Sequence, residues 1–439
     1  MISYSEARQL IEQSAQAKRL DLQKNKTEEI DLFDCIGRTL ATSITASAPF
    51  PAFVTSAMDG FAIAASSSTA ASFAQPACLH ILGTIHAGLS VAGLNTPAGS
   101  AWKIMTGAEL PYGCDACVKI EDASSSPIRS LPPRTCAFEN FKDVLYLASK
   151  VQCGSNVRQV GEDFTPRENV FVCGHRFRHE DVLILATLGV TRLRVFCRPR
   201  VALISTGDEL VDHSATPQPG QIRNSTLPYL LLKLQSLDCQ VVFLGSAGDH
   251  DEAFLKKLAI ARQENFDLIL STGGISVGQG DRVVQSVEQA GGNLIFQKVR
   301  IRPGKPVLFA SFPEGISLIG LPGNPIASIV AFRFFVEPFL QHLQNGPTSS
   351  TPQFLNFIRL PMACAFFKKT EGTEFLKARL IQDAGLAQVL PLKNQQASLL
   401  HPLLEADGWI EIPDGPCGEI AQATPVIFHP FHVGRLVAR

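Results

Sequence analysis

From residue 200 onward the chain alternates uninterrupted apolar runs with amphipathic stretches, and few folds accept that order. RVALIST (200–206), QVVFLG (240–245), DLILS (267–271), PVLFAS (306–311) and ISLIGL (316–321) read as strands with no polar face. Helical patterns lie between them, near 226–237, over 251–263 and after Asp281. Pro325 sits where a first-turn proline is tolerated and opens the helix IASIVAFRFFVEPFL. Strands apolar on both sides must be covered on both faces, which predicts a largely parallel α/β sheet with helices on each side.

The flanking regions read differently. Ser3 and Glu6 form a capping-box pattern, and Ala7, Leu10, Ile11 and Ala15 then share one helical face. From about 40 to 160 short β-type runs (FAIAA, LHILGTI, AWKIM, ACVKI, DVLYLA) are separated by turns, with mobile loops expected at 65–73 and 123–134. EDVLILATLG (180–189) reads as a buried helix ended by Gly189. NGPTSSTPQ (345–353) is a linker, and the short strands after it predict a small β-barrel or β-sheet domain. The division that follows is 1–48 with 149–197 as a helical/β N-terminal linker domain, 49–148 as a β-rich domain, 198–345 as the α/β domain and 346–439 as a C-terminal β-barrel.

Charge narrows the function. Lys plus Arg is 39 and Asp plus Glu is 40, a formal net charge of −1. Nothing so balanced draws nucleic acid or an anionic membrane over a distance, so neither is expected as a partner, and any anion must be held locally. The longest apolar run, 316–332, is broken by PGNP, and MISYSEARQLIEQ has no apolar signal core, so a cytoplasmic protein is expected. The eleven cysteines then read as reduced thiols, and the Cys114/Cys117 pair as ordinary packing. His175 and His179 lie in a basic piece, HRFRH, that suits solvent-facing roles better than metal binding.

Ligands of parallel α/β sheets bind beyond the carboxyl ends of the strands. STGDEL (205–210), TGGISVGQGD (272–281), RPGKP (302–306) and GLPGNP (320–325) fall there and should face one crevice. Gly273, Gly274 and Ser276 offer unobstructed backbone amides to an oxyanion. Lys298, Arg302 and Lys305 add a basic cluster, with Lys298 on an extended strand and turned to the crevice. Asp59, Asp163, Glu209, Asp249 and Asp281 all sit in glycine-bearing loops. Taken singly, Asp249 and Asp281 read as turn or cap residues. Together with the basic cluster the acids favour an anion-plus-metal site, since carboxylates beside a phosphate commonly hold Mg²⁺.

In order, FPxFxxSAMDGFA (50–62), KIMTGAELPYGCDACVKIED (103–122), NVRQVGED (156–163), RPRVALISTGDEL (198–210), GQIRNS (220–225) and the three loops after it resemble the molybdopterin molybdenumtransferases, the MoeA proteins and the gephyrin E domain. QAS (396–398) is a weaker match. The resemblance implies a multidomain α/β plus β protein: a molybdopterin-binding α/β domain, a helical and β N-terminal part and a small C-terminal β-barrel. It implies a homodimer with the active site shared between subunits. It also implies an enzyme that places molybdate on the dithiolene of adenylylated molybdopterin and releases AMP with Mg²⁺ or a similar cation.

By the same resemblance the catalytic positions are Asp59, Thr106, Asp163, Glu209, Asp249 and Asp281, with Glu209, Asp249 and Asp281 toward metal. Substrate contacts fall on Gly273, Gly274, Ser276, Lys298, Arg302, Lys305, Pro322, Asn324 and Ser398. Arg302 stands where the family has lysine, and Val54 where it often has a polar residue. The implied partners are a separate molybdopterin adenylyltransferase and recipient molybdoenzymes or their chaperones. The alternative is a catalytically weak scaffold of the gephyrin E-domain type, which the retained acids disfavour.

Overall fold

A computed structural model describes residues 1–125, 142–248, 251–275, 282–344, 357–383 and 385–431. The chain divides into two compact units, Met1–Thr42 with Cys173–Val182 and Thr191–Arg439, and Ser43–Val172 with Leu183–Val190.

Helix α1 (Tyr4–Asn25) opens the first unit. Its capping box is formed. The Glu6 N–H donates to Ser3 Oγ at 3.2 Å and the Ser3 N–H to Glu6 Oε2 at 2.8 Å, an arrangement worth about 1 kcal/mol. Ala7, Ile11 and Ala15 are fully buried, whereas Leu10 lies on the exposed side. The buried stripe is therefore narrower than expected, because it follows the i, i+4 row Ala7, Ile11, Ala15, and Leu10, three residues from Ala7, falls short of a full turn and lands beside it.

The second unit is built on a five-stranded sheet. Its strands are β1 (Gly60–Ile63), β2 (Ala77–Ile85), β3 (Ser100–Ile104), β4 (Ala116–Lys119) and β5 (Val144–Leu147), in the order β4-β1-β3-β2-β5. Only the β2–β3 pairing is parallel. The serine-rich 65–73 piece is not a loose loop throughout. Ala65–Ser68 forms a 3-10 turn, and buried Ser68 accepts the Val151 N–H at 2.9 Å. Most of the other expected loop, from 126 on, lies outside the described residues. Helix α2 (Asp181–Thr187) ends before Gly189, which has φ 71°. It is not a buried helix: Asp181 and Leu185 are buried, while Leu183 is 74% exposed.

In the first unit the chain then forms β6 (Arg200–Thr206), β7 (Leu210–Val211), β8 (Ile222–Arg223), α3 (Thr226–Ser236), β9 (Gln240–Ala247), α4 (Asp251–Gln263), β10 (Leu268–Thr272) and α5 (Arg282–Gln289). It continues with β11 (Asn293–Gln297), β12 (Ile301–Arg302), β13 (Leu308–Ser311) and β14 (Ser317–Leu321). The main sheet runs β9-β6-β10-β14-β13-β11. The first three pairings are parallel and the last two antiparallel.

Alternate residues feed two cores. Val201, Leu203, Leu268, Leu270 and Ile319 pack with α1, α3 and the helix after β14, while Ala202, Ile204, Ile269 and Leu318 pack with α4 and α5. This is why the strand sequences lack a polar face, and each buried leucine or isoleucine contributes about 1.5–3 kcal/mol.

Asn324 caps α6 (Pro325–Ala331), accepting the Ile326 N–H at 3.0 Å and the Ala327 N–H at 3.3 Å. A π-helical turn, Phe332–Val336, joins α6 to α7 (Glu337–Gln344). The widened turn comes just before Pro338, which has no N–H to continue an α ladder. Although PGNP breaks the apolar run, Pro325–Gln344 is long and apolar enough by composition to cross a membrane. Here 78% of its apolar window is buried inside the protein.

The C-terminal sheet contains β15 (Ile358–Pro361), β16 (Thr373–Asp383), β17 (Leu386–Pro391), β18 (Gly408–Ile412) and β19 (Pro425–Pro430). Its order is β12-β16-β18-β19-β15, with β17 beside β16. Strand β12, from the basic segment, is thus an edge of this sheet, pairing Ile301 with Thr373 and Arg302 with Glu374.

Candidate functional sites

Each unit carries one part of the expected constellation. In the β-rich unit, Ser56 and Thr55 pair with Val157 and Arg158. The Gly107 N–H donates to the Ser56 carbonyl at 2.8 Å, and the Ala57 N–H to the Asn156 carbonyl at 2.9 Å. Three sequence-distant motifs, SAMDG, MTGA and NVRQVGED, are therefore tied together by backbone bonds. Asp59 Oδ1 accepts both the backbone N–H of Thr106 at 2.7 Å and its hydroxyl at 2.8 Å. These bonds, the backbone one first, hold the Asp59 carboxyl below its ordinary range. Asp59 is exposed and ionised, and so can face a cation or a donor. Asp163, also exposed, is paired with the Arg158 guanidinium. Phe53, Met58 and Val160 leave an exposed apolar rim around these motifs.

In the α/β domain a crevice of about 310 Å³ lies at the carboxyl ends of β6, β10 and β14. Its lining takes Thr206, Gly207 and Glu209 from the first loop and Thr272 through Ile275 from the second. Pro306 comes from the third, with Pro322, Gly323 and Pro325 from the fourth. The four loops meet as their strand positions require. β13 runs antiparallel, so its entry loop reaches the same edge that the parallel strands leave.

Two glycines shape this floor. Gly207 has φ 130°, and a Cβ there would lie 2.6 Å from Glu209 Oε2, so the carboxylate folds over a position that only glycine leaves open. Gly273 has φ 80°, and its Cβ would meet Thr206 Oγ1 at 2.7 Å.

Not every expected residue joins this crevice. Lys298, Arg302 and Lys305 do not line it, although Pro306 does. The expected alternation through Lys298 fails for a local reason. Lys298 has φ 69°, β11 stops at Gln297, and the chain turns to bond its N–H to the Val307 carbonyl at 2.9 Å. Its side chain therefore does not share a continued strand face with Leu294 and Phe296. Arg302 and Lys305 are exposed. Asn324 acts as the α6 cap beside the lining residues Gly323 and Pro325. Exposed Ser398 follows Gln396, whose carbonyl is held by the buried Lys377 ammonium at 2.9 Å. Ser276, Asp249 and Asp281 lie outside the described residues.

Other expectations resolve locally. Ser56 Oγ lies 3.0 Å from Cys117 Sγ, and Cys114 Sγ lies 3.3 Å from Thr96 Oγ1, so this pair is packed against hydroxyls. His175 is not simply solvated: its Nε2 lies 2.8 Å from a buried Asp181 oxygen. His179 is exposed. Among the described residues no group of three or more His, Cys, Asp or Glu side chains forms a metal cluster. The Glu209 carboxylate, a hard oxygen donor held open over Gly207, fits one ligand position of a hard divalent cation.

A larger cavity of about 580 Å³ includes Arg8, Glu12, Arg333, Glu337 and Glu411. It lacks glycine loops, and Arg8 and Arg333 are paired to Glu12 and Glu337. The smaller crevice has the glycine loops whose backbone amides suit an oxyanion. Its lining also includes Arg223, Asn224, Ser225 and Thr226, none selected from the sequence. The first three lie in GQIRNS, one of the matching motifs.

Comparison with known proteins agrees along the chain. Residues 2–189 match the MoeA N-terminal region (domain I and II), 202–342 a probable molybdopterin binding domain and 359–426 the MoeA C-terminal region (domain IV). The molybdopterin molybdenumtransferase of Synechococcus elongatus is 34% identical over 97% of this chain and 98% of that protein. The Bacillus subtilis protein of the same name is 31% identical over 90% of this chain and 88% of its own length. A MoeA structure from Pyrococcus horikoshii, 24% identical, covers 98% of this chain and 100% of that chain with a TM-score of 0.77, showing the same fold. The chain belongs to the molybdopterin molybdenumtransferase family.

Proposed function

We propose that this protein is a transferase of molybdenum cofactor biosynthesis. It inserts molybdenum from molybdate into the dithiolene of adenylylated molybdopterin and releases AMP. The observation that carries the reading is the convergence of four glycine- and proline-rich loops on one crevice at the carboxyl ends of the parallel strands. Family membership supports the same activity.

In this reading the Gly273–Gly274 loop and the end of α3 bind the substrate phosphates through backbone amides. Glu209, with Asp249 and Asp281, holds Mg²⁺, which when bound offsets charge on the phosphate oxygens. Ser276, Pro322 and Asn324 shape the same substrate site. Lys298, Arg302 and Lys305, with Ser398, contact the substrates, Lys298 the molybdate. Asp59, Thr106 and Asp163 act from the β-rich part.

The protein works as a homodimer in the cytoplasm, with each site drawing on both subunits. The exposed Phe53, Met58 and Val160 beside Asp59 support a covered surface there. A separate adenylyltransferase supplies substrate, and molybdoenzymes or their chaperones take the product. The four-part division at residues 48/49, 148/149, 197/198 and 345/346 is proposed as its domain plan. AMP release from adenylylated molybdopterin, measured with and without molybdate, tests the activity. Molybdate-dependent release is expected, and its absence would leave the scaffold reading in its place.

A further inference from the structure

Among the described residues lining the crevice there is one cation, and it is Arg223. Arg223 ends β8, paired in parallel with Val211 of β7. Its Nε–H donates to the Ala215 carbonyl at 3.0 Å, which fixes the plane of an otherwise exposed guanidinium. The next residue locks the backbone. The buried Asn224 donates its amide to Ser205 Oγ at 2.9 Å and accepts the Leu227 N–H at 3.0 Å. Arg223 is thus tied to the end of the central strand on one side and to α3 on the other.

The rest of the lining is glycine, proline, small hydroxyl and apolar residues, Asn224 and the acid Glu209. A phosphate entering there meets a carboxylate unless a cation faces it, and a held guanidinium matches two phosphate oxygens at once. Lysines further along the chain do not supply that contact, since Lys298 and Lys305 lie outside the lining.

We propose that Arg223 is the phosphate-recognising residue of this crevice and grips the nucleotide phosphate of the adenylylated substrate. This rests on the reading that the crevice takes that substrate. Molybdate is also an oxyanion, so the test separates the two. AMP and molybdate are each titrated, by calorimetry at fixed ionic strength, into the full-length wild-type, Arg223→Ala and Arg223→Lys proteins, with thermal unfolding as a folding control.

Arg223→Ala should weaken AMP about 10- to 100-fold, the loss of a charge-assisted contact. Molybdate affinity should stay unchanged. Arg223→Lys should fall between the two, because it keeps charge without the fork. Wild-type AMP affinity retained in a folded Arg223→Ala protein would overturn the assignment, whether or not molybdate binding falls. Failure of the wild-type protein to bind AMP would overturn the reading of the crevice and this assignment with it.

Discussion

A single carboxylate oxygen, Asp59 Oδ1, takes both the backbone N–H and the hydroxyl of Thr106, at 2.7 and 2.8 Å. Two motifs nearly fifty residues apart meet at one atom. Asp59 is thereby aimed and held ionised by the Thr106 donors, on an exposed position.

Thr106→Val removes one of these donors and leaves the other. The folded-state pKa of Asp59 is depressed. Its contribution to stability is therefore complete above the ordinary carboxylate range and lost as pH falls through the lowered value. With the hydroxyl gone, that value rises toward normal. The acid limb of the pH–activity profile should move toward neutral pH, and turnover at neutral pH should change less than at pH 5. Carboxyl NMR titration of Asp59 reads the same shift directly, and an unmoved titration would show that the hydroxyl contributes nothing.

Gly207→Ala places a carbon where the Glu209 carboxylate now lies, at a backbone angle that disfavours any side chain. A stability loss of about 1–3 kcal/mol is expected from the strain. AMP release should fall further than that loss explains, because Glu209 must swing away. Glu209→Gln should keep stability but raise the Mg²⁺ concentration needed for half-maximal release. Chelation should stop release in the wild type and added Mg²⁺ restore it. Activity that survives thorough chelation would remove the metal from the scheme.

Mixed dimers test the shared site. Asp59→Ala and Glu209→Ala chains, each inactive alone, should regain part of the activity when refolded together, since one site of the hybrid keeps both groups. Sedimentation should show two chains per particle. Hybrids as inactive as their parents would place both acids in one subunit.

Lys298 sits at φ 69°, so its variants separate backbone from charge. Lys298→Gly relieves the backbone and Lys298→Ala does not, and Gly should be the more stable of the two. If the ammonium binds molybdate, both should raise the half-saturating molybdate concentration by roughly 10- to 150-fold. An unchanged molybdate requirement in both would remove Lys298 from the site.

Much of this arrangement is legible in the residues because the physics is local. Strands without a polar face demand cover on both sides, and loops at their ends then have little choice of location. Asn324 before Pro325 announces a helix start by itself. What escapes is non-local or hinges on one dihedral. Nothing around Lys298 signals the left-handed turn that breaks β11, since its cause is the return of the chain to Val307. Leu10 and Leu183 look like core by spacing alone, and only the packing around each helix decides which apolar positions are covered. Arg223 lies in the matching motif GQIRNS, but the motif alone does not single it out, and its place in the crevice comes from the acid and glycines that the fold sets around it.

The pairing of Arg302 with Glu374 and of Ile301 with Thr373 has a consequence for how the basic segment is kept in place. Gly372, just before that pairing, lies so close to Arg300 that a Cβ would sit 2.4 Å from its carbonyl oxygen. The C-terminal sheet therefore acts as a gauge for the segment, setting the height at which Arg302 and Lys305 stand before the chain reaches Pro306 at the crevice. A side chain added at Gly372 would press on the Arg300 carbonyl and displace Arg302 and Lys305 while both cations remained in the sequence. A C-terminal sheet distant in the chain would then set the position of these two cations by alignment alone.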